Sequence, residues 1–197
     1  MTMRYEASML LVLLAVPLLS GCLDDGADDL PDLSRAYLGA LTLTYSRDFP
    51  SFEAMVSMNV TVQKDGSVEI GAGQPALYEG DDEQVIEGSK VRVREAGTVT
   101  VTPGSGDAYV KWGNELITLS CSVTISGEQE TYAWDEDTMS WISVMKTPFE
   151  VTDPIDPPFK FDIADAVMNN AFKTATAPQA FGTVTYEWSL VLTPSLG

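Results

Sequence analysis

The chain has 197 residues, with 11 Lys or Arg against 29 Asp or Glu, a net charge of −18 and no histidine. Such an acidic surface repels phosphates, which argues against nucleic acid as a partner. Without histidine there is no Ser-His-Asp triad, no Cys-His dyad and no zinc site of the usual kind. No motif for a cofactor is present, so we expect none. The hydrophobic content of 45% is enough for the core of one domain.

The first residues have the pattern of an export signal. The run Met9 to Leu19, "MLLVLLAVPLL", is apolar over about eleven residues, which suits a signal-peptide h-region and is too short to span a bilayer. Two small residues, Ser20 and Gly21, then precede Cys22. Residues 1–21 are therefore predicted to be a signal peptide.

The segment Leu19-Ser20-Gly21-Cys22 resembles the lipobox of prokaryotic lipoproteins, in which an aliphatic residue and two small ones precede a cysteine. The resemblance implies that the Cys22 thiol is lipidated, with fatty-acyl groups such as palmitate, and that the mature chain begins there. Two or three acyl chains hold firmly, since each buried CH₂ contributes about 0.8 kcal/mol. The expected location is the outer membrane or the cell surface. An ordinary cleaved signal peptide is the alternative.

Residues 22–35 are predicted to form an acidic, flexible tether, because the aspartates of "LDDGADDLPDLS" repel one another and keep the segment extended. A calcium loop is the alternative, but the spacing and the late glutamate of an EF-hand are missing. Residues 36–197 are then predicted to form a single β-rich domain.

Period-2 alternation of apolar and polar residues dominates that domain and predicts antiparallel strands. The predicted inward-facing residues are Tyr37, Leu41, Leu43 and Tyr45 in the first strand, Ile117, Leu119, Cys121, Val123 and Ile125 in the middle, and Val184, Tyr186, Trp188, Leu190 and Leu192 in the last. The first and last strands are similar and threonine-rich, which predicts that they pair with each other.

Turn residues divide the alternating runs. The predicted turns are Asp65-Gly66, Gly88-Ser89, Ala96-Gly97, Gly104 to Asp107, Gly113-Asn114, Ser126-Gly127 and Asp135 to Thr138. One segment departs from this rhythm: after the proline-rich "DPIDPPFKF", helical spacing of apolar residues predicts a short amphipathic helix at about 163–174, with Asp162 as its N-cap.

An all-β antiparallel meander of eight to ten strands must close as a barrel or fold into a two-sheet sandwich to bury its apolar face. The opening strand (Tyr37, Gly39, Leu41, Thr42), the Asp65-Gly66 hairpin and the closing Gly182-x-Val184 strand are similar to those of calycin-like β-barrel lipoproteins. That resemblance implies a barrel; an immunoglobulin-like or other sandwich is the alternative.

Few residues suggest chemistry. Cys121 lies on an apolar strand face, where a buried neutral thiol is expected rather than a nucleophile. The acidic turns 81–83 and 135–137 are expected to be solvated, with Asp135 and Asp137 as weak calcium candidates and no other metal site predicted. A hydrolase would need two such carboxylates held across a cleft.

Aromatic residues are the remaining candidates, either as core or as the lining of a pocket or rim for a sugar, a lipid or a partner chain. They are Trp112, Tyr132, Trp134, Trp141 and Trp188. The function predicted is that of a lipid-anchored, non-enzymatic envelope protein whose β-domain binds a small ligand or a partner. A structural or assembly module with a solid core is the alternative, and a carboxylate hydrolase a remote one. A ligand-sized cavity would favour the first.

Overall fold

The computed structural model describes residues 33–154, 158–178 and 182–195; the predictions for residues 1–32, including the signal peptide and Cys22, lie outside it. Its elements are β1 (Tyr37–Asp48), β2 (Ser51–Val62), β3 (Val68–Ile70), β4 (Ala76–Ile86), β5 (Ser89–Lys111), β6 (Asn114–Asp135), β7 (Ser140–Pro154), β8 (Phe159–Asp162), α1 (Ile163–Met168), β9 (Ala171–Pro178) and β10 (Thr183–Pro194).

The strands form two antiparallel sheets, which confirms the all-β prediction. The first sheet has the order β3-β2-β1-β10-β9, and the second has the order β4-β5-β6-β7, with β8 also paired to β6. The first and last strands pair as predicted, from Tyr37 opposite Pro194 to Arg47 opposite Val184. A single bridge, between Ser67 and Asp107, links the two sheets at one margin. At the other margin, no strand pairing joins β7 to β9 within the described residues.

The core lies between the sheets and is built from the predicted alternating faces. Leu41, Leu43, Ile117, Leu119 and Leu190 are each fully buried. Trp188 is 1% exposed and its ring centroid lies 5.2 Å from that of Phe159. Trp188 therefore lies in the core, which is the first of the two roles considered for the aromatic residues. Leu33 is also buried, so packing begins three residues before the predicted domain boundary at residue 36.

The predicted turns at Ala96-Gly97 and Ser126-Gly127 are wrong, because these residues lie within two long strands, β5 of 23 residues and β6 of 22. Gly97 is paired directly with Gly127. A Cβ on Gly97 would lie 2.3 Å from the Ser126 carbonyl oxygen and 2.8 Å from the Tyr78 hydroxyl. These glycines therefore mark a close approach of backbones and of the Tyr78 phenol, and the chain does not reverse there.

The predicted turn at Gly104 to Asp107 is a β-bulge within β5, between Pro103 and Gly106. The Ser120 hydroxyl of the neighbouring strand accepts a hydrogen bond from the Ser105 amide at 2.9 Å, which takes up one group that the bulge leaves outside the ladder. The other predicted turns are present, one residue earlier at Glu87-Gly88 and Trp112-Gly113, and as predicted at Asp65-Gly66 and after Asp135.

The predicted helix ends early. Asp162 is its N-cap, as expected, and accepts a hydrogen bond from the Ala164 amide, but the helix stops at Met168 and residues 171–178 form strand β9 instead. Asn170 adopts a left-handed conformation with φ of 58°, which ends the helix, and the following residues pair with β10. Within the described ranges, no helix is long and apolar enough to cross a bilayer.

The second sheet extends beyond the end of the first. Strand β1 ends at Asp48, one residue after the Arg47 that contacts Glu95, whereas β4 to β7 continue through residues 81–94 and 130–146, which we call the overhang. Its edge strand β7 is exposed, but Pro148 and a bulge opposite Thr131 and Tyr132 make it a poor template for further strand pairing.

The burial of Trp188 predicts that Trp188→Ala costs about 3–5 kcal/mol of unfolding free energy, through lost apolar burial and the cavity left behind. Trp112→Ala is the matched control: this tryptophan is 67% exposed, and its loss should change stability by about 0.5 kcal/mol or less. Urea denaturation followed by circular dichroism measures both. Equal losses for the two variants would contradict the packing described here.

Candidate functional site

A cleft of about 210 Å³ opens between the two sheets at the unbridged margin, near the end of β1 that is remote from Tyr37. Its polar lining comes from Arg47, Glu95, Gln129 and Thr147, and its apolar lining from Tyr45, Tyr186, Phe149 and three aliphatic side chains, Ile125, Val151 and Val184. Strands β1, β5, β6, β7 and β10 therefore all contribute to it. The cleft therefore combines charged and aromatic groups on one surface.

The cleft contains an ion pair between Arg47 and Glu95, whose side chains are 6% and 2% exposed. Strand alternation places both of them inward: Arg47 continues the face of Leu43 and Tyr45, and Glu95 continues the face of Val93. The two strands belong to opposite sheets, so the pair joins the sheets across the core.

Neighbouring side chains complete the hydrogen bonding of Glu95. One carboxylate oxygen accepts from Arg47 and, at 2.9 Å, from the Gln129 amide. The other accepts from the Tyr78 hydroxyl at 3.2 Å. A buried charge is tolerated when it is paired and hydrogen-bonded, and this carboxylate meets both conditions.

Four aromatic rings in mutual contact, which we call the aromatic cluster, adjoin the pair: Tyr45 and Tyr186 line the cleft, Tyr78 donates to Glu95, and Phe52 packs against Tyr45 and Tyr78. Phe52 stacks on Tyr78 with ring centroids 4.3 Å apart. Tyr45 lies 5.6 Å from Phe52, 6.0 Å from Tyr78 and 5.4 Å from Tyr186. These centroid separations are typical of favourable aromatic contacts, so the cluster gives the cleft a rigid wall with hydroxyl groups on it.

Burial and then the adjacent negative charge of Glu95 raise the pKa of Tyr78 well above its usual range. Its phenol therefore stays protonated across physiological pH and can continue to donate to Glu95. Glu95 is also the single carboxylate that lines the cleft among the described residues, so the two-carboxylate arrangement of a glycoside hydrolase is not formed there. The groups present are suited to binding a molecule that has both polar and apolar parts.

The aromatic residues chosen from the sequence lie elsewhere. Trp134 and Trp141 pair across the β6–β7 hairpin, with centroids 5.3 Å apart, and Lys90 lies 5.1 Å from the Trp134 ring. Tyr132 is next to them, under the Arg92 guanidinium at 6.0 Å. The structure thus joins these three at the overhang, but Trp112 lies at the opposite end of β6 and Trp188 in the core.

The candidate calcium ligands and Cys121 make contacts that stabilise the fold. Asp135 accepts hydrogen bonds from the Asp137 amide and the Thr138 hydroxyl, so its carboxylate oxygens stabilise the turn. No group of three or more His, Cys, Asp or Glu side chains able to hold a metal occurs within the described residues. Cys121 is buried, and that burial raises the pKa of its thiol, which disfavours the nucleophilic thiolate.

Comparison with protein-family models, curated proteins and solved structures finds no match for this chain. The cleft must therefore be interpreted from its own residues. The sequence-based candidates do not include it, yet the sequence holds a signal for it: Arg47 and Glu95 fall on inward positions of otherwise apolar alternating strands, one with each sign of charge.

Breaking the buried pair should destabilise the fold strongly. Arg47→Met or Glu95→Gln alone should each cost about 3–5 kcal/mol, because an uncompensated charge or its partners remain buried. The double variant should cost clearly less than the sum, and a double-mutant cycle by urea denaturation measures that coupling. Arg92→Met is the control: it removes an ion pair with the partly exposed Asp81 and should cost about 1 kcal/mol or less. Additive effects of Arg47 and Glu95 would refute the pair.

The raised pKa of Tyr78 gives a dependence on alkaline pH. Below the ordinary phenol pKa of 10.0, Tyr78 is protonated in both the folded and the unfolded chain. Above it, the unfolded chain loses the proton while the folded chain keeps it, so the free energy of unfolding should fall as pH rises from about 10. Urea denaturation between pH 8 and 11 measures this, and Tyr78→Phe should make the fall shallower. An identical fall in both chains would contradict the assignment.

Proposed function

We propose that this protein is a lipid-anchored, non-enzymatic binding protein of the cell envelope, and that the cleft between its sheets binds a small ligand. The observation that carries the proposal is the cleft of about 210 Å³ containing a buried ion pair and walled by aromatic rings. Structural packing alone is served better by apolar side chains, since replacing a buried pair with them is often neutral or stabilising.

The size and lining of the cleft define the class of ligand. Sites for drug-sized molecules occupy about 300–1,000 Å³, so a cavity of about 210 Å³ suits a smaller molecule. Tyr45, Tyr186 and Phe149 offer ring faces, while Gln129 and Thr147 offer hydrogen-bonding groups at the same cavity. A small, ring-bearing molecule with one or two polar substituents matches both features.

The entry point of the chain supports the proposed anchor. Leu33 and Tyr37 lie at the end of the sandwich that is opposite to Arg47, because β1 runs from Tyr37 to Asp48. At about 3.4 Å per residue, the ten residue steps from Tyr37 to Arg47 place the cleft roughly 34 Å from that end. A lipid on Cys22 would therefore leave the cleft directed away from the membrane and accessible.

Docking of a protein partner is the second candidate, favoured by the overhang. There Ile142 and Met145 are 48% and 49% exposed on the inner face of the sheet. Trp134, Trp141 and Lys90 lie at the tip on the opposite face. Exposed apolar and aromatic residues of this kind are typical of interaction surfaces. A partner bound there would not need the cleft.

The small-ligand proposal is tested with 4-fluorophenol and 4-fluorobenzamide as probes in fluorine NMR. Thr147→Trp should fill the cleft and abolish the line broadening of a bound probe, because Thr147 lines the cavity. Thr152→Trp, on the other face of the same strand beside Thr124, should leave binding unchanged. Loss of binding in both variants, or in neither, would refute the cleft as the binding site.

The anchor is tested separately. Cys22→Ser should abolish both membrane fractionation and labelling by an alkynyl fatty acid, because the thiol that carries the acyl group is removed. Cys121→Ser is the matched control and should keep both, since Cys121 is buried. Labelling that persists in Cys22→Ser would show that the lipid is attached elsewhere.

A further inference from the structure

We propose that the β5–β6 hairpin end of the domain is a membrane-contact surface, with Trp112 as the side chain that enters the bilayer interface. This inference rests on the proposed anchor at Cys22, but concerns a different part of the molecule. Its occupant is the lipid surface that holds that anchor.

Trp112 has a conformation that packing does not explain. It is 67% exposed and adopts a left-handed backbone with φ of 50°, followed by Gly113 with φ of 81°. Two successive positive φ values belong to a tight hairpin turn whose first position favours asparagine, aspartate or glycine. A bulky aromatic residue is unfavourable there, both for backbone sterics and for its exposure to water, so its presence indicates a role outside the core.

The surroundings of Trp112 suit an interface between water and lipid. Lys111 lies 5.1 Å from the Trp112 ring, and Lys160 lies 5.6 Å from the ring of Tyr109. Met168 is 71% exposed and lines, with Arg35 and Gly113, an open cavity of about 550 Å³ at this end. Tryptophan and tyrosine rings with adjacent long cationic side chains are the residues that settle at headgroup depth.

The same end of the domain receives the tether. The Glu115 carboxylate, three residues after Trp112, accepts hydrogen bonds from the Ser34 amide at 2.5 Å and from the Tyr37 hydroxyl. Leu33 is buried and its amide donates to the Lys64 carbonyl at 2.8 Å. The start of the described chain is thereby fixed beside the Trp112 turn.

The short length of the tether is the reason to expect a membrane, and not a protein, at the Trp112 surface. Ten residues separate Cys22 from Leu33, and ten residues span at most about 35 Å even when fully extended. The Trp112 end therefore cannot leave the vicinity of the bilayer, and the local concentration of lipid around it is permanently high. The Trp134 and Trp141 tip lies at the other end of β6, roughly 65 Å along the strand at about 3.3 Å per residue.

Quenching by brominated lipid tests the contact. The full chain, isolated from its own membranes, is reconstituted in vesicles of phosphatidylcholine or of its 6,7-dibromo analogue. If Cys22 is found with a free thiol, the chain is coupled to the same vesicles through a maleimide lipid, since Cys121 is buried and shielded. The contact of Trp112 with lipid can then be measured whether or not cells acylate Cys22. Acylation of Cys22 is a separate result, and its failure would not affect this measurement.

The brominated lipid should quench about one quarter of the emission, because Trp112 is one of four tryptophans and Trp188 is inside the core. Trp112→Phe should lose this quenching, and the matched control Trp141→Phe, at the other end of β6, should retain it. Unquenched wild-type protein on the vesicles would overturn the inference, as would quenching that survives in Trp112→Phe. Circular dichroism of each variant confirms that it is folded.

Discussion

The ion pair between Arg47 and Glu95 is the constraint on which the arrangement of the two sheets depends. Each side chain comes from a different sheet and is almost fully withdrawn from water. Two charges transferred into a protein interior cost several kcal/mol each unless their geometry and hydrogen bonding are well matched. The pair therefore favours one register of β1 and of β5 within their own sheets, because a one-residue slip of either strand would turn its charged side chain toward solvent and leave the other unpaired.

The supporting contacts explain how this region tolerates the charges. The Gly97–Gly127 pair lets the backbones of β5 and β6 approach, and leaves room for the Tyr78 phenol that donates to Glu95. A side chain at Gly97 would occupy the position of the phenol. The glycines, the Tyr78 hydroxyl and the ion pair therefore depend on one another. Because Gly97 has no Cβ, the Tyr78 hydroxyl can donate a hydrogen bond to Glu95, two residues before Gly97 on the same strand. The aromatic cluster then closes the unit from the side of the first sheet.

Alternation in the sequence predicted the strands, their inward faces and the pairing of the first strand with the last, because burial of one face of a sheet imposes a period of two. It did not predict strand length. A glycine in an alternating run can mark a turn or a close contact, and only the residues opposite it decide which: Gly97 faces Gly127, whereas Gly88 has a positive φ and ends its strand. Those opposing residues are distant in sequence, so the distinction belongs to tertiary structure.

The same limit applies to the candidate site. The pairing of Trp134 with Trp141 was predictable because both flank one turn, and local sequence distance sets their separation. The cleft combines residues from five strands, and β7 and β10 approach it from different sheets. The alternating pattern gave one usable signal, a charged residue at an inward position on each of two strands. It did not indicate that these two residues would contact each other. The helix was overextended for a related reason, since pairing of residues 171–178 with β10 outweighed their helical spacing.

The position of the cleft follows from the unequal lengths of the strands. The first sheet ends at the turn after Asp48, and the second continues into the overhang, where Val93 is still buried but the inward residues Ile142 and Met145 are exposed. Where a covered surface becomes an uncovered one, the last inward side chains can be reached from solvent while their neighbours remain dry. Arg47, Glu95 and Gln129 lie at this boundary. In a dry environment polar contacts are stronger than in water, and at an opening they can be exchanged for those of a ligand. A binding site at the step between the sheets therefore requires no departure from the fold, only that one sheet be longer than the other.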